Sequence, residues 1–123
     1  MSYNVELQDP VTRNVLEVEK PHYMKGDKYD PEGSTRLELG VTWNYSGHIC
    51  RVFGTVMQGI HSLSSLYGMT GAESIPVLKA AIALLGDEVN EDYWQATEGN
   101  VKQALNHLLA MAQMRPDGVW RVI

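Results

Sequence analysis

The segment from Arg36 to Ser46 alternates between apolar and polar residues without a break. A period of two is typical of a strand with one buried face. The polar side becomes richer in hydrogen-bonding groups toward Ser46, where the chain changes to a helical pattern. The sequence therefore predicts a strand that leads directly into a helix. The apolar side of this strand comprises Leu37, Leu39, Val41, Trp43 and Tyr45.

Three helices are predicted after this strand. Apolar residues in the range 49–67 recur at spacings of three and four, which marks one face of a helix that starts at the N-cap Ser46. Two interior glycines weaken this helix, so we expect either one long helix or two short ones. The second helix begins at Thr70, whose spacing from Glu73 fits a capping box. The third begins at the N-cap Thr97.

Segments with strand patterns at both ends complete the predicted fold. Residues 3–7 and 16–18 alternate on either side of a turn that starts at Asp9, which predicts a hairpin. Residues 119–123 predict a final strand. The sequence thus predicts a single α+β domain over residues 1–123, with an antiparallel sheet of about four strands and helices on one face, in the order β-β-β-α-α-α-β. The predicted core comprises Leu39, Val41, Trp43, Phe53, Ile60, Leu78, Ile82, Leu105 and Leu108.

Residues 20–35 are predicted to form a long flexible loop, because Pro and Gly recur there without a sustained period. A cluster of basic and aromatic residues lies within this loop, although the chain as a whole is acidic. A solvated loop is the simpler interpretation, and an anion-binding flap is the alternative. The cluster comprises His22, Tyr23, Lys25, Lys28 and Tyr29.

Composition argues against several classes of protein. The net charge of −5 disfavours broad contact with nucleic-acid phosphates. The single Cys50 can form no internal disulfide, which fits a reducing compartment. No apolar run is long enough to span a bilayer, and the first residues lack the pattern of a secretion signal. We therefore expect a cytoplasmic protein without a nucleic-acid or membrane partner.

The sequence also contains no convincing catalytic or metal-binding pattern. Cys50 and His48 lie two residues apart near a helix start, and such neighbours face different directions. The histidines lack metal-ligand spacing, and the acidic residues 87–92 lack the spacing of a calcium loop. The glycines at positions 68 and 71 are not followed by the lysine of a phosphate-binding loop. We expect no catalytic residues, no metal and no cofactor, and hence a protein that is not an enzyme.

The polar groups that folding explains least define the predicted binding site. Asn44 and Ser46 end the polar side of the strand, while Asn100 is a poor helix former in a first helical turn. Aromatic rings can stack on a base while Lys or Arg contacts phosphate. The predicted ligand is therefore small and anionic. Its candidate contacts are Tyr23, Lys25, Lys28, Tyr29, Asn44, Ser46, Glu98, Asn100 and Arg115.

Four segments carry a resemblance to known proteins: Asp-Pro-Val-Thr at 9–12, Thr-Trp-Asn-Tyr-Ser at 42–46, Gly-Met-Thr-Gly-Ala-Glu-Ser-Ile-Pro at 68–76 and Arg-Pro-Asp-Gly-Val-Trp at 115–120. Through them the chain resembles, over nearly its full length, a group of small proteins encoded by bacteriophages and prophages. The resemblance implies a phage product that acts in the cytosol of a bacterial host. Binding of host proteins or host signalling molecules is a common task for such proteins.

These expectations lead to a non-enzymatic binding protein of phage origin as the main functional hypothesis. It would counteract host defence by sequestering a small anionic signal, for instance a nucleotide, or by blocking a defence protein. A phage assembly or accessory structural protein is the alternative, and an enzyme acting on nucleotides or peptides ranks third. The six methionines and several aromatic residues are also compatible with a homo-oligomer.

Overall fold

Five strands and three α-helices form the structure, a computed structural model that describes residues 1–28 and 30–123. This mixed content confirms the predicted α+β class. Short 3-10 turns at Trp43–Tyr45 and Leu63–Leu66 lie on either side of the first helix. The elements in chain order are β1 Ser2–Gln8, β2 Glu17–His22, β3 Ser34–Arg36, β4 Glu38–Thr42, α1 Ser46–Met57, α2 Gly71–Ala83, α3 Glu98–Met114 and β5 Val119–Val122.

The strands form two small antiparallel sheets instead of the one sheet of about four strands that was predicted. β1 is the central strand of the larger sheet, in the order β4-β1-β5. In this sheet Val5 pairs with Leu39 on one side and with Val122 on the other. β2 and β3 pair separately. The strand predicted to start at Arg36 is divided at Leu37, whose N–H donates to the Leu16 carbonyl (2.9 Å).

The predicted hairpin between β1 and β2 is correct at its turn and wrong beyond it. The Asp9 carboxylate accepts hydrogen bonds from the N–H groups of Val11 and Thr12, both at 2.8 Å, which closes the turn. The chain then follows β1 only as far as Leu16, whose N–H donates to the Leu7 carbonyl (2.9 Å). β4 occupies the rest of this edge of β1, since a strand pattern does not specify which strand becomes the neighbour.

One hydrophobic core joins the larger sheet to the helices. In β5, the Trp120 indole N–H donates to the Ser74 hydroxyl in α2 (2.8 Å), so this large side chain is buried with its polar atom paired. Two predicted core residues are wrong, because Trp43 is 49% exposed and Ile60 is fully exposed. Ile82 is only half-buried against the core. The confirmed core residues are Leu39, Val41, Phe53, Leu78, Leu105 and Leu108.

Capping residues explain both the confirmed helix starts and the corrected one. The Thr70 hydroxyl accepts from the Glu73 N–H (3.1 Å), and the Glu73 carboxylate accepts from the Thr70 N–H (2.9 Å), as the capping box predicted. Thr97 likewise caps α3. The predicted cap at Ser46 is wrong, because Thr42 caps the 3-10 turn that runs directly into α1. Trp43 consequently leaves the strand and does not continue its buried side.

Candidate functional site

The loop between β2 and β3, residues 23–33, is shorter than the predicted loop 20–35, because the two strands include its ends. The middle of this loop is attached to β4 through the Asp27 N–H, which donates to the Gly40 carbonyl (3.1 Å). Gly26 lies so close to the strand that a Cβ on it would be 2.1 Å from the Gly40 carbonyl oxygen. The backbone of the loop therefore packs directly on β4.

A cleft of about 620 Å³ lies between this loop and the strands β1 and β4. A volume of this size falls within the range of roughly 300 to 1,000 Å³ that small-molecule sites occupy. The cleft combines aromatic rings with hydrogen-bonding and charged groups. Its lining includes Tyr3, Asn4, Tyr23, Asp27, Lys28 and Glu38.

The cleft opens on the face of the sheet that lies away from the core. Val5 and Leu39 are buried, and side chains alternate along a strand, so their neighbours Asn4 and Gly40 face the other way. The Asp27 carboxylate occupies the space beside Gly40, where a Cβ would be 1.5 Å from Asp27 Oδ1. The absence of a side chain at position 40 thus makes room for the loop.

Carboxylates dominate the charged groups of the cleft, since Asp27, Asp30 and Glu38 lie in its lining together with one lysine, Lys28. Two of these carboxylates already accept hydrogen bonds: Glu38 from Arg36 (3.2 Å) and Asp30 from the Glu32 N–H (3.0 Å). The partly buried Asp27 carboxylate has no hydrogen-bond or ion-pair partner among residues 1–28 and 30–123. The cleft therefore offers an excess of acceptors and negative charge.

The structure divides the residues of the predicted loop cluster between two places. Tyr23 and Lys28 line the cleft. Lys25 lines a separate cavity of about 100 Å³ between the loop and α3, together with Asn100 and His107. Burial lowers the pKa of His107, and the nearby backbone of Lys25 acts in the opposite direction. Tyr29 lies outside the described residues.

Asn100 holds the loop before α3. Its carbonyl oxygen accepts from the Asn90 N–H (3.0 Å), and its amide donates to the carbonyls of Asp92 (3.1 Å) and Gln95 (3.0 Å). The neighbouring Gly99 is also required by packing, because a Cβ there would be 2.3 Å from the Glu88 carbonyl oxygen. Folding thus explains both of these poor helix formers, contrary to the sequence argument. A ligand contact from Asn100 stays a prediction.

Asn44 and Glu98 also have structural partners. The Asn44 amide donates to the Trp94 carbonyl (2.9 Å). The Glu98 carboxylate accepts from the Gly86 N–H (3.1 Å), and this hydrogen bond is the main cause that lowers the pKa of Glu98. Both side chains therefore attach the segment between α2 and α3 to the rest of the fold. Neither lines the cleft.

The last two predicted residues lie away from the cleft. Ser46 begins α1, and its N–H donates to the Trp43 carbonyl. Arg115 forms a paired ionic contact with Asp117, at 3.0 and 2.9 Å. It is near the Gln8 end of β1, whereas the cleft lies at the Ser2 end. The structure therefore does not bring Arg115 together with Tyr23 and Lys28.

Several residues of the cleft were not identified from the sequence. The sequence pattern places Tyr3 and Asn4 in the first strand without indicating a site. It places Glu38 on the polar side of the strand that starts at Arg36. One usable signal was Gly40, because a glycine inside a strand often marks close approach by another group. Asp27 gave no such signal, since its position over the sheet depends on the tertiary fold.

The segment between α2 and α3 also covers the free edge of β4. The Tyr93 hydroxyl accepts from the Thr42 N–H (3.0 Å) and donates to the Gly40 carbonyl (3.1 Å). Burial raises the pKa of Tyr93 to about 12, so the hydroxyl keeps its proton and remains a donor at neutral pH. The Tyr45 hydroxyl in turn donates to the Tyr93 carbonyl, which positions this ring.

Comparison with protein-family models, curated proteins and solved structures found no match for this chain. Within residues 1–28 and 30–123, no helix is both long enough and apolar enough to cross a membrane. The same residues contain no group of three or more His, Cys, Asp or Glu side chains arranged to hold a metal ion.

Proposed function

We propose that this protein is a non-enzymatic binding protein whose ligand occupies the cleft between loop 23–33 and the strands β1 and β4. The observation that carries the proposal is the cleft itself, which has the volume of a small-molecule site. Tyr23 supplies aromatic surface, while Asn4 and Asp27 supply hydrogen-bonding groups. In such sites aromatic surface contributes affinity, and the polar groups fix the orientation of the ligand.

The resemblance to phage proteins supports a role inside a bacterial host. A phage protein that retains a host molecule in this cleft would remove a signal of host defence, and a nucleotide is one candidate. The support for a nucleotide is that Tyr23 can stack on a base. A phage structural protein remains the alternative role.

A second candidate function, the blocking of a host defence protein, is favoured by an aromatic surface beside the cleft. The rings of Tyr3 and Trp43 lie 6.2 Å apart, and Asn44 connects this turn to Trp94. Trp43 and Trp94 are both exposed. Exposed Trp and Tyr residues are enriched among those that contribute most to protein interfaces.

Retention of host molecules by the purified protein tests both candidates. The protein is incubated with bacterial lysate, recovered and denatured, and the released molecules are identified by mass spectrometry. We expect a small molecule, and we expect slower hydrogen exchange across residues 22–35 when that molecule is added back. A retained protein would favour the second candidate, and no retention of any molecule would contradict both.

A matched pair of tyrosine variants shows whether the cleft is responsible. Tyr23 lines the cleft and is 59% exposed, while Tyr67 lies outside it and is 62% exposed. Because both rings are exposed, neither substitution should disturb the fold. Tyr23→Ala should reduce retention several-fold and Tyr67→Ala should not. Equal retention by the two variants would place the ligand elsewhere.

A further inference from the structure

We propose that the cleft selects an organic cation with planar, delocalised charge, of the guanidinium class. This inference rests on the proposed function, because it specifies the ligand of the same cleft. The charge is opposite to that expected from the lysines of the loop in the sequence. Four features carry the inference: an unpaired carboxylate, the balance of charges, the aromatic lining and the charge of the whole chain.

The first feature is the carboxylate of Asp27. It is partly buried in the cleft, and both of its oxygens lack a partner among the described residues. A carboxylate that is partly exposed and has no partner is available to a cationic ligand. A guanidinium presents two parallel N–H donors that match the two oxygens of a carboxylate. Binding of this group would therefore satisfy Asp27.

The second feature is the balance of charges around Asp27. A phosphate in the cleft would lie beside the carboxylates of Asp27 and Asp30 and beside Glu38, whose charge Arg36 partly offsets. Repulsion between like charges strengthens where water is partly excluded. Lys28 is exposed, and its flexible chain lets the ammonium group stay in water instead of neutralising the cleft. A cation meets a favourable potential in the same place.

The third feature is the aromatic ring of Tyr23. The face of an aromatic ring attracts a cation, and a guanidinium also stacks on it because both groups are planar. Tyr23 is largely exposed and so keeps ring surface available to a ligand. An ammonium point charge would use the carboxylates but would gain less from stacking. The ring of Tyr23 therefore favours a guanidinium over a simple amine.

The fourth feature is the charge of the whole chain. Its net charge of −5 attracts cations and repels polyanions before either reaches the cleft. This long-range attraction decreases with added salt. Binding that depends on the cleft itself must therefore persist at physiological ionic strength.

Agmatine, which carries a guanidinium, is the probe that tests the inference on the full chain. Its affinity is measured by calorimetry at physiological ionic strength, and its site is mapped by ¹⁵N NMR. Agmatine also carries an ammonium group, so 4-ureidobutylamine, which keeps that group and replaces the guanidinium with an uncharged planar urea, is the matched analogue, and AMP serves as an anion. We expect saturable agmatine binding with shifts confined to residues of the cleft. 4-Ureidobutylamine and AMP should bind about tenfold more weakly or worse.

Two aspartate variants separate the cleft from the general negative charge. Asp27→Asn keeps the shape of the side chain and removes its charge, and it should weaken agmatine about tenfold or more. Asp87→Asn removes a charge from an exposed surface pair with Lys102 and should leave the affinity unchanged. Tyr23→Leu keeps apolar bulk without a ring, and it should weaken agmatine and lower its preference over a simple amine.

Each contrary result has a distinct meaning. Equal affinity for 4-ureidobutylamine, unchanged affinity in a folded Asp27→Asn, or no agmatine binding at millimolar concentration would overturn the inference of a guanidinium ligand. If Asp27→Asn does not fold, an unchanged affinity of Tyr23→Leu for agmatine would overturn the inference instead. AMP in the cleft without agmatine would overturn the inference and leave the proposed binding function intact. If neither a probe nor a lysate molecule occupies the cleft, both the guanidinium inference and the proposed binding function are wrong.

Discussion

The carboxylate of Asp27 occupies the space in which a side chain at Gly40 would lie, with Oδ1 1.5 Å from the position of a Cβ. Gly26 makes a second close approach to the same strand, through its contact with the Gly40 carbonyl oxygen. Two glycines, distant in sequence, therefore determine how near the loop can approach the sheet. The shape of the cleft depends on this contact.

Gly26→Ala is expected to move loop 23–33 away from β4. Its Cβ would be 2.1 Å from a backbone oxygen, which cannot rotate aside as a side chain can. Overpacking of this kind typically costs about 1 to 3 kcal/mol. Denaturant unfolding gives the loss of stability, and hydrogen exchange across residues 23–33 shows whether the loop has moved.

Gly47→Ala is the matched control, because no atom lies within 4 Å of its Cβ position in α1. We expect it to be neutral, or to stabilise the helix by up to about 1 kcal/mol. The explanation would be wrong if the two glycine variants lost stability equally.

Asn100→Ala is expected to release the loop before α3. The three hydrogen bonds of this side chain hold backbone groups of residues 90, 92 and 95. The loss should be about 1 to 3 kcal/mol, and hydrogen exchange should accelerate within residues 90–95. Asn106→Ala, at an exposed position of α3, should change neither quantity. Exchange that accelerates only in the helix would contradict the assigned role.

Thr70→Ala is expected to reduce stability by about 1 kcal/mol, because it removes the hydroxyl that caps α2. Ligand binding in the cleft should be unaffected. Thr55→Ala provides the comparison, since Thr55 lies on the exposed side of α1, where its hydroxyl donates to the Arg51 carbonyl and caps no helix end. Chemical denaturation of both variants measures the difference. A fully stable Thr70→Ala that no longer binds ligand would make Thr70 a binding residue instead.

Stability is expected to fall on acidification because of His107. Burial lowers the pKa of this ring in the folded chain, while in the unfolded chain it stays near its ordinary value of about 6.5. The unfolded chain therefore binds more protons below about pH 6.5. The stability that neutral His107 contributes is complete above that pH. It is lost as the pH falls through the pKa of His107 in the folded chain.

The melting temperature at about pH 7.5 and about pH 5.5 measures this effect. His107→Gln should show a smaller difference between the two values than the wild type. Lys25 and Glu91, which line the same cavity, and the nearby His22 are retained in the variant. His61→Gln is the control, since the His61 ring contacts Ser65 away from this cavity. An identical difference in all three proteins would show that His107 is not responsible.

Local features of the fold could be predicted from the sequence because their causes are local. The capping box of Thr70 and Glu73, the cap at Thr97 and the turn at Asp9 each involve residues within four positions of one another. Strand pairing could not be predicted in the same way. The alternation in β1 shows which side chains face the core, but it does not identify β4 and β5 as the neighbours.

The candidate site was only partly predictable for a related reason. The sequence presents Asn44 and Asn100 as polar groups without a structural role. Their hydrogen-bond partners lie in the loop before α3, whose position the sequence does not predict. The alternation of apolar and polar residues continues in the sequence beyond Thr42, where β4 ends and the 3-10 turn begins. It therefore predicts a core position for Trp43 that the structure does not have. Asp27 and Gly40 meet only in the folded chain, so the acidic character of the cleft was not apparent.

The hydroxyl of Tyr93 covers an edge of the larger sheet, β4-β1-β5, that another chain could otherwise pair with. A strand with free N–H and C=O groups is a template on which another chain can add a strand and build an intermolecular β-structure. At β4 the Tyr93 hydroxyl occupies two of these groups, and at β5 the Met69 carbonyl accepts from the Trp120 N–H. Strand addition is thereby hindered at both margins of this sheet, and a partner that binds along β4 must displace both the Tyr93 ring and the Asp27 N–H from the Gly40 carbonyl.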